Sequence, residues 1–241
     1  MNRPLEELSR NMERARISRR RIITAAAGTA VLALGARRFI DDDATSMARG
    51  LTRADGRPRL PPGQRVLTRL KPMGGVPGDP SPGHLRLRVH GAVSTALTLS
   101  LPDLLALGAE EHTCDVHCVT GWSVLDATFS GVSIATVLEA AGVLPGATHL
   151  ILEAPGGFTA NVPLSRVMGP ENRLAHRLEG LPLETRHGAP LRAVIPDLYF
   201  WKSAKWVTGL RVQREDTRGY WEVRGYHNDA DPWEEQRYAL F

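Results

Sequence analysis

His112-Thr113-Cys114-Asp115-Val116-His117-Cys118-Val119-Thr120-Gly121-Trp122-Ser123 holds both cysteines of the 241-residue chain and two of its eight histidines. Two thiols and two imidazoles within so short a run are plausible ligands for a soft metal ion. Zinc is one candidate. A structural zinc site takes four ligands, usually as two pairs from separate chain segments, and no second Cys/His pair of that spacing follows. The plain alternative is a buried cysteine in a strand, packing as a small hydrophobe. A framework of disulfides is excluded by number. The choice depends on the company these residues keep elsewhere in the chain.

Outward from this stretch the pattern is one of strands with a few short helices. Leu85, Leu87 and Val89 alternate with Arg86 and Arg88, as in a strand with one face buried. Residues 101–108 read as a short helix with Ser100 as cap and Gly108 as stop, and Ser133 opens a second helix over 134–141 that Gly142 ends. Further strands are predicted over 149–154, 158–162, 191–195 and 205–214. Without regular βα alternation, these elements predict an α+β domain, largely antiparallel. Residues 39–80, dense in Pro, Gly, Arg and Asp, read as a linker and entry loop ahead of a domain spanning 81–241. The final stretch from Gly219 to Phe241 is rich in aromatic and acidic residues and has little periodicity, so it is predicted to wrap the surface or cover a site.

Two further clusters carry chemistry. Tyr199-Phe200-Trp201-Lys202-Ser203-Ala204-Lys205-Trp206 contains two of the three lysines in the chain. Lysines bracketing a serine among rings suggest an anion clamp with a hydrophobic floor; the bland reading is a solvated charged loop. His187-Gly188-Ala189-Pro190-Leu191-Arg192 sets a basic group at each end of a turn. Arg192 is able to grip a phosphate bidentately, with His187 adding a hydrogen bond, or to pair with a carboxylate.

Taken together these segments resemble the sulfite-oxidase-like molybdopterin-binding oxidoreductases. The resemblance rests on Cys118 to Ser123, Phe129-Ser130-Gly131-Val132, His187 to Arg192, Pro196-Asp197-Leu198-Tyr199 and Trp201 to Trp206. It continues through Gly219-Tyr220-Trp221-Glu222, Gly225-Tyr226-His227-Asn228 and Asp231 to Tyr238, in consistent order over residues 75 to 240. It implies the sulfite-oxidase molybdopterin-binding fold, with Cys118 as the single protein thiolate on molybdenum. It also implies that His187, Arg192, Ser203 and Lys205, helped by Lys202, grip the pterin and its phosphate. Cys114 matches no ligand of the family and is expected to be a packed neighbour. The implied activity is two-electron oxygen-atom transfer at a sulfur or nitrogen centre, as sulfite-type oxidation or as reduction of S- or N-oxides.

Two features depart from the family pattern. Gly121-Trp122-Ser123 stands where animal and plant sulfite oxidases carry arginines that receive sulfite, which weakens sulfite as substrate. Leu70-Lys71-Pro72-Met73-Gly74-Gly75-Val76-Pro77 replaces a first pterin-binding segment that often carries Tyr, His or Asn, so contacts there fall to backbone and Lys71. No CxxCH haem attachment site is present, so electrons are expected to pass through a separate electron-transfer protein or membrane redox subunit, with a small molecule as substrate. The alternatives are a cofactor-free binding or scaffold protein of the same fold, and a secreted zinc protein using His112, Cys114, His117 and Cys118.

The formal net charge of +4 does not indicate a nucleic-acid partner. Residues 1–38 carry nine arginines against three glutamates, so the body of the protein is slightly acidic and lacks a basic stripe. Seven of those arginines precede the fifteen-residue apolar run Ile22 to Ala36, too short for a membrane span of about 20 residues. Ser18-Arg19-Arg20-Arg21-Ile22-Ile23 resembles a twin-arginine export signal. That implies a periplasmic or extracytoplasmic protein, possible membrane association through the N-terminus included. Twin-arginine transport of folded proteins suits a cofactor inserted in the cytoplasm.

Overall fold

The computed structural model describes residues 41–239; the basic leader and its apolar run, read as an export signal, lie outside the described residues. Helix α1 covers 41–49. From Ala48 onward the chain forms one compact unit. Its strands and helices, in order, are β1 (Arg65–Val66), β2 (Leu87–Gly91), β3 (Leu97–Leu99), α2 (Leu101–Ala106), β4 (Glu110–Cys118), β5 (Trp122–Ser133) and α3 (Ile134–Ala141). There follow β6 (His149–Ala154), β7 (Phe158–Pro163), α4 (Leu164–Val167), β8 (Arg173–Leu178), β9 (Leu181–Pro182), β10 (Arg192–Val194) and β11 (Gly209–Gln213).

The strands form two sheets. One runs β1-β5-β8-β10, with β4 on β5 and β9 on β8; the other runs β3-β2-β11-β6-β7. Among the described residues only β1–β5 and β2–β11 are parallel pairs, so the architecture is the expected α+β, mostly antiparallel, with few short helices. The main core is shared by both sheets. Val89, Leu152 and Leu210 from one sheet meet Val132, Leu174 and Ala193 from the other, all fully buried. Helix α3 adds Ile134, Val137, Leu138 and Ala141, whose spacing puts them on one face.

The helix boundaries follow from local chemistry. Ser100 Oγ accepts from the Asp103 N–H at 3.3 Å while the Asp103 carboxylate accepts from the Ser100 N–H at 3.0 Å, a reciprocal cap on α2. Gly142, at φ +69°, ends α3 and returns its N–H to Leu138. One predicted strand is shorter than expected: of 205–214 only Gly209–Gln213 is extended. Trp206 takes φ +55°, which breaks the extended backbone and leaves Lys205 and Trp206 in a loop.

The segment read as a linker is also corrected. Residues 48–80 belong to the compact unit, because charge and backbone pairing both hold them there. β1 pairs with β5. Arg59 forks onto Asp115 at 2.7 and 2.8 Å and reaches Asp126 at 2.6 Å. Arg53 and Arg57 bind Asp197 at 2.7 and 3.1 Å and lie 4.5 and 3.9 Å from the Trp233 ring centroid. The Trp233 indole donates to the Pro58 carbonyl at 2.7 Å. The C-terminal stretch thus closes over the N-terminal side of the domain.

Two predictions follow from this framework. A Cβ at Gly131 would lie 2.1 Å from the Leu174 carbonyl oxygen, so Gly131→Ala must push β8 away from β5. We expect it to cost about 2 kcal/mol or more in urea unfolding, against about 1 kcal/mol for the loss of the cap in Ser100→Ala. A Gly131→Ala protein as stable as wild type would mean that β8 yields freely. The second concerns acid. Burial alone would raise the Asp115 carboxyl, but the Arg59 guanidinium and the Asp126 N–H hold it below its ordinary value. A depressed carboxyl contributes stability above its unfolded value of about 3.9 and loses it as pH falls through the folded value. Arg59→Met is therefore expected to lower stability at pH 7 by about 1–3 kcal/mol and to flatten the loss of stability below about pH 4. Thermal melts of both proteins across that range check it; equally steep acid limbs would contradict it.

Candidate active site

The β4–β5 hairpin delivers the cysteine of interest. β4 ends at Cys118, paired with Trp122 across a turn in which the Gly121 N–H donates to the Cys118 carbonyl at 3.0 Å. Gly121 sits at φ +84°, a conformation suited to glycine. Cys118 is buried at 4% exposure. Its carbonyl also accepts from Gln64 Nε2 at 3.1 Å, and its Sγ lies 3.3 Å from Thr120 Oγ1. Burial pushes the Cys118 thiol up, while the Thr120 hydrogen bonds oppose that rise.

The four soft donors of the opening stretch do not converge. Cys118 and Thr120 line a cavity of about 480 Å³. Cys114 and His112 line a different one of about 490 Å³, walled by ion-paired residues such as Arg59 and Asp115. His117 is fully buried, bonded to Ser123 Oγ at 2.8 Å through Nδ1 and set edge-on to Trp233 with centroids 5.1 Å apart. Among the described residues no three His, Cys, Asp or Glu side chains gather as a metal site. The zinc alternative fails on that geometry. Cys114 is half-buried against a smaller hydrophobic cluster that includes Val116, Ala127 and Phe129, as a packed neighbour would be.

The cavity that holds Cys118 also takes in His187, Arg192, Ser203 and Lys205. His187 ends a 3-10 turn over Thr185–His187. Gly188, at φ +110°, lets that turn approach closely: a Cβ there would stand 3.0 Å from Arg192 Cβ and 3.1 Å from Lys205 Cβ. Arg192 is 2% exposed. Its guanidinium donates to the carbonyls of His187, Ser203 and Ala193 at 3.0, 3.2 and 3.2 Å and lies 4.3 Å from the Phe200 ring centroid. Among the described residues no carboxylate pairs with it. Burial drives Arg192 down to about 9 and Lys205 to about 8, with Arg192 adding to the effect on Lys205. Burial likewise lowers His187. Lys205 Nζ donates to the carbonyls of Met73 and Arg186, and Ser203 Oγ accepts from the Ile195 N–H at 2.9 Å.

Lys202 goes elsewhere. It is not a wall of this cavity but is fully buried on the far side of its loop, 2.6 Å from Glu222. The two lysines therefore do not clamp one anion between them. The cavity is also lined by rings, among them Trp201, Tyr220, Trp221 and Tyr226. Sequence reasoning gave Trp201 a place in the floor of an anion clamp and expected the stretch bearing Tyr220, Trp221 and Tyr226 to wrap the surface or cover a site, without assigning these rings to substrate. It missed Gln64, which lies in the segment read as linker and carries no local signal, and Thr120, whose place two residues after Cys118 was a usable one.

Comparison with known proteins identifies the family. The family described as "Oxidoreductase molybdopterin binding domain" matches residues 73–221. "Uncharacterized oxidoreductase YuiH" of Bacillus subtilis (strain 168) is 42% identical over 193 residues, covering 79% of this chain and 98% of that protein. Mitochondrial sulfite oxidase of Homo sapiens is 30% identical over 175 residues, 60% of this chain and 32% of that protein. The protein-methionine-sulfoxide reductase catalytic subunit MsrP of Gluconobacter oxydans (strain 621H) is 29% identical over 169 residues, 61% of this chain and 54% of that protein. The chain thus spans about a third of the sulfite oxidase and about half of the MsrP subunit. In fold it is similar to the sulfane dehydrogenase SoxCD from Paracoccus pantotrophus, with a TM-score of 0.51 at 24% identity over 56% of this chain and 39% of that one. The chain belongs to the oxidoreductase molybdopterin-binding domain family and is a molybdenum-cofactor oxidoreductase of the sulfite-oxidase-like kind.

Proposed function

We propose that Cys118 is the protein's thiolate ligand to molybdenum, that His187, Arg192 and Lys205 face the anionic part of the molybdopterin, and that the enzyme transfers an oxygen atom at sulfur. The observation that carries this reading is Arg192. A guanidinium buried at the wall of a cavity, with no carboxylate paired to it among the described residues, is costly unless an anion joins it there. The buried thiol opens on the same cavity, so one space offers a soft sulfur ligand and a cationic cluster. These residues fit a phosphate-bearing cofactor that carries a soft metal. Ser203 acts through its loop, holding the Ile195 N–H, and Lys202 supports the site from behind.

When bound, the cofactor supplies a two-electron centre able to take up or give up one oxygen atom. The chain's own residues do the remaining work. Gln64 fixes the Cys118 backbone, Arg192 and Lys205 counter negative charge, and the rings at Trp201, Tyr220, Trp221 and Tyr226 exclude water and receive the substrate. That aromatic wall suits the organic groups of a sulfoxide, and no arginine follows Cys118 closely enough in sequence to receive a dianion there. We favour reduction, in which a sulfoxide with two electrons and two protons becomes a thioether and water; the MsrP relative is named for such a substrate. Sulfite-type oxidation is the second reading. Its support is Lys71, an exposed cation at the cavity close enough to bias the Cys118 thiol.

We propose that the electrons come from a separate redox partner; the MsrP relative is named as a catalytic subunit. The arginine-rich leader supports export by the twin-arginine route to the periplasm. Among the described residues no helix is long and apolar enough to cross a membrane.

Elemental analysis of protein from cofactor-producing cells tests the assignment. Wild type is expected to hold close to stoichiometric molybdenum, Cys118→Ser to lose it, and Arg192→Met to fall about tenfold in occupancy. Full molybdenum in Cys118→Ser would sink the ligand assignment. With reduced viologen and an aryl methyl sulfoxide, wild type should form thioether; turnover of sulfite with ferricyanide instead would select the second reading.

A further inference from the structure

Lys202 and Glu222 form an ion pair sealed from solvent. Nζ lies 2.6 Å from Oε1, and the side chains are 0% and 1% exposed. Lys202 also donates to the Asn161 carbonyl and to Asn161 Oδ1, at 2.8 Å each, so its three N–H bonds are all used. The same Glu222 oxygen accepts the Trp201 indole N–H at 2.9 Å. Asn161 in turn donates to Asp216 and Asn228 at 2.7 and 2.9 Å. One knot thereby joins β7, the lysine loop and the C-terminal stretch.

The rings of the cavity hang from that knot. Tyr220 and Trp221 immediately precede Glu222, and Tyr226 follows four residues later. Trp201 stacks on Tyr199 with centroids 5.3 Å apart and meets Tyr226 edge-on at 5.0 Å; Tyr226 meets Trp221 at 4.9 Å. Glu222 Oε2 sits where a Cβ on residue 219 would come within 2.6 Å, so Gly219 leaves room for the carboxylate. Apolar residues of like volume generally serve stability as well as a buried ion pair does. What the pair adds is direction, because a carboxylate shared by an ammonium and an indole N–H fixes the angle of each.

We infer that Lys202, Glu222 and Asn161 are positioning residues that set Trp201 and the rings of the C-terminal stretch at the substrate end of the cavity. They govern substrate affinity and leave cofactor retention alone. This rests on the oxygen-transfer reading for what the rings receive. None of the three touches the cavity itself, so they act through Trp201 and its neighbours.

The test uses molybdenum-loaded full-length protein in four forms besides wild type. Glu222→Ala removes the acceptor. Lys202→Met with Glu222→Gln removes both charges, so no unpaired ion is left inside if the single variant fails to fold. Trp201→Phe keeps an aromatic ring, though a smaller one, and the ion pair, but loses the N–H bond. Glu222→Gln keeps an oxygen for the indole and serves as the conservative rescue. For an aryl methyl sulfoxide we expect KM to rise about tenfold in the first three while kcat changes less than about threefold, with molybdenum content unchanged. Glu222→Gln alone, which keeps an acceptor for the indole but leaves Lys202 without its counter-charge, should be less stable than wild type yet, where folded, lie closer to wild type in KM than Glu222→Ala. Near-ultraviolet circular dichroism, read without substrate, should change in the Ala and double variants while the far-ultraviolet signal holds. Folded Ala or double variants with an unchanged ring signal, or with KM unmoved, overturn the inference, as does molybdenum lost in step with activity. A loaded wild type inert toward the sulfoxide sinks the oxygen-transfer reading instead, and the ring signal still decides the knot.

Discussion

A guanidinium enclosed by protein without a carboxylate beside it has to be satisfied by something, and at Arg192 that demand organises the centre of the molecule. Three of its N–H groups are taken by backbone carbonyls from residues 187, 193 and 203. The cation thus draws together the turn before β10 and the lysine loop after it. Leaving such carbonyls unmet would cost about 1–3 kcal/mol each, so the two loops are not free to part. Gly188 follows from the same closeness, since a side chain there would press on Arg192 and Lys205. Carbonyl oxygens carry only partial charge and do not neutralise the cation. The remaining demand points into the cavity.

The thiol is held by a different principle. Within the β4–β5 hairpin Cys118 is held by its pairing with Trp122 and by its own turn. The ends of the domain add to that hold. Gln64, just ahead of β1, binds the Cys118 carbonyl, and Arg237, near the C-terminus, donates to the Val119 carbonyl. Both segments also hold each other through Arg53, Arg57 and Trp233. A cysteine at a hairpin tip would otherwise share the hairpin's local motion; anchoring its backbone from two distant segments makes its place a property of the whole domain.

Local chemistry was legible in the sequence where it is self-contained. The Ser100 cap, the Gly142 stop and the alternation of Leu85, Leu87 and Val89 depend on residues a few positions apart, and each stands as predicted, with Asp103 completing the cap. The sequence misled where neighbours in the chain face different ways. His112, Cys114, His117 and Cys118 read as one cluster, yet they divide between two cavities and a buried bond to Ser123. Gln64 had no readable signal, because its role exists only once β1 lies beside β5. The family resemblance located the cavity because it records such long-range placements indirectly, whereas periodicity does not.

Lys202 and Lys205 make the same point chemically. Three positions apart in one loop, they look equivalent, and both are cut off from much of the solvent. Burial lowers the affinity of each for its proton, but their partners differ. Lys202 meets a full carboxylate, so its charge is spent inside the fold. Lys205 meets only carbonyls and the face of Trp206, with its nitrogen 4.3 Å from the ring centroid. Carbonyls and a ring stabilise a cation without cancelling it. Lys205 therefore keeps a field directed at the cavity while Lys202 does not, and the loop separates a structural charge from one that remains available to an anion. The cavity is thus lined by cations whose charge is not cancelled, Arg192 and Lys205, and by Trp201, whose indole N–H is bound by the carboxylate that cancels Lys202.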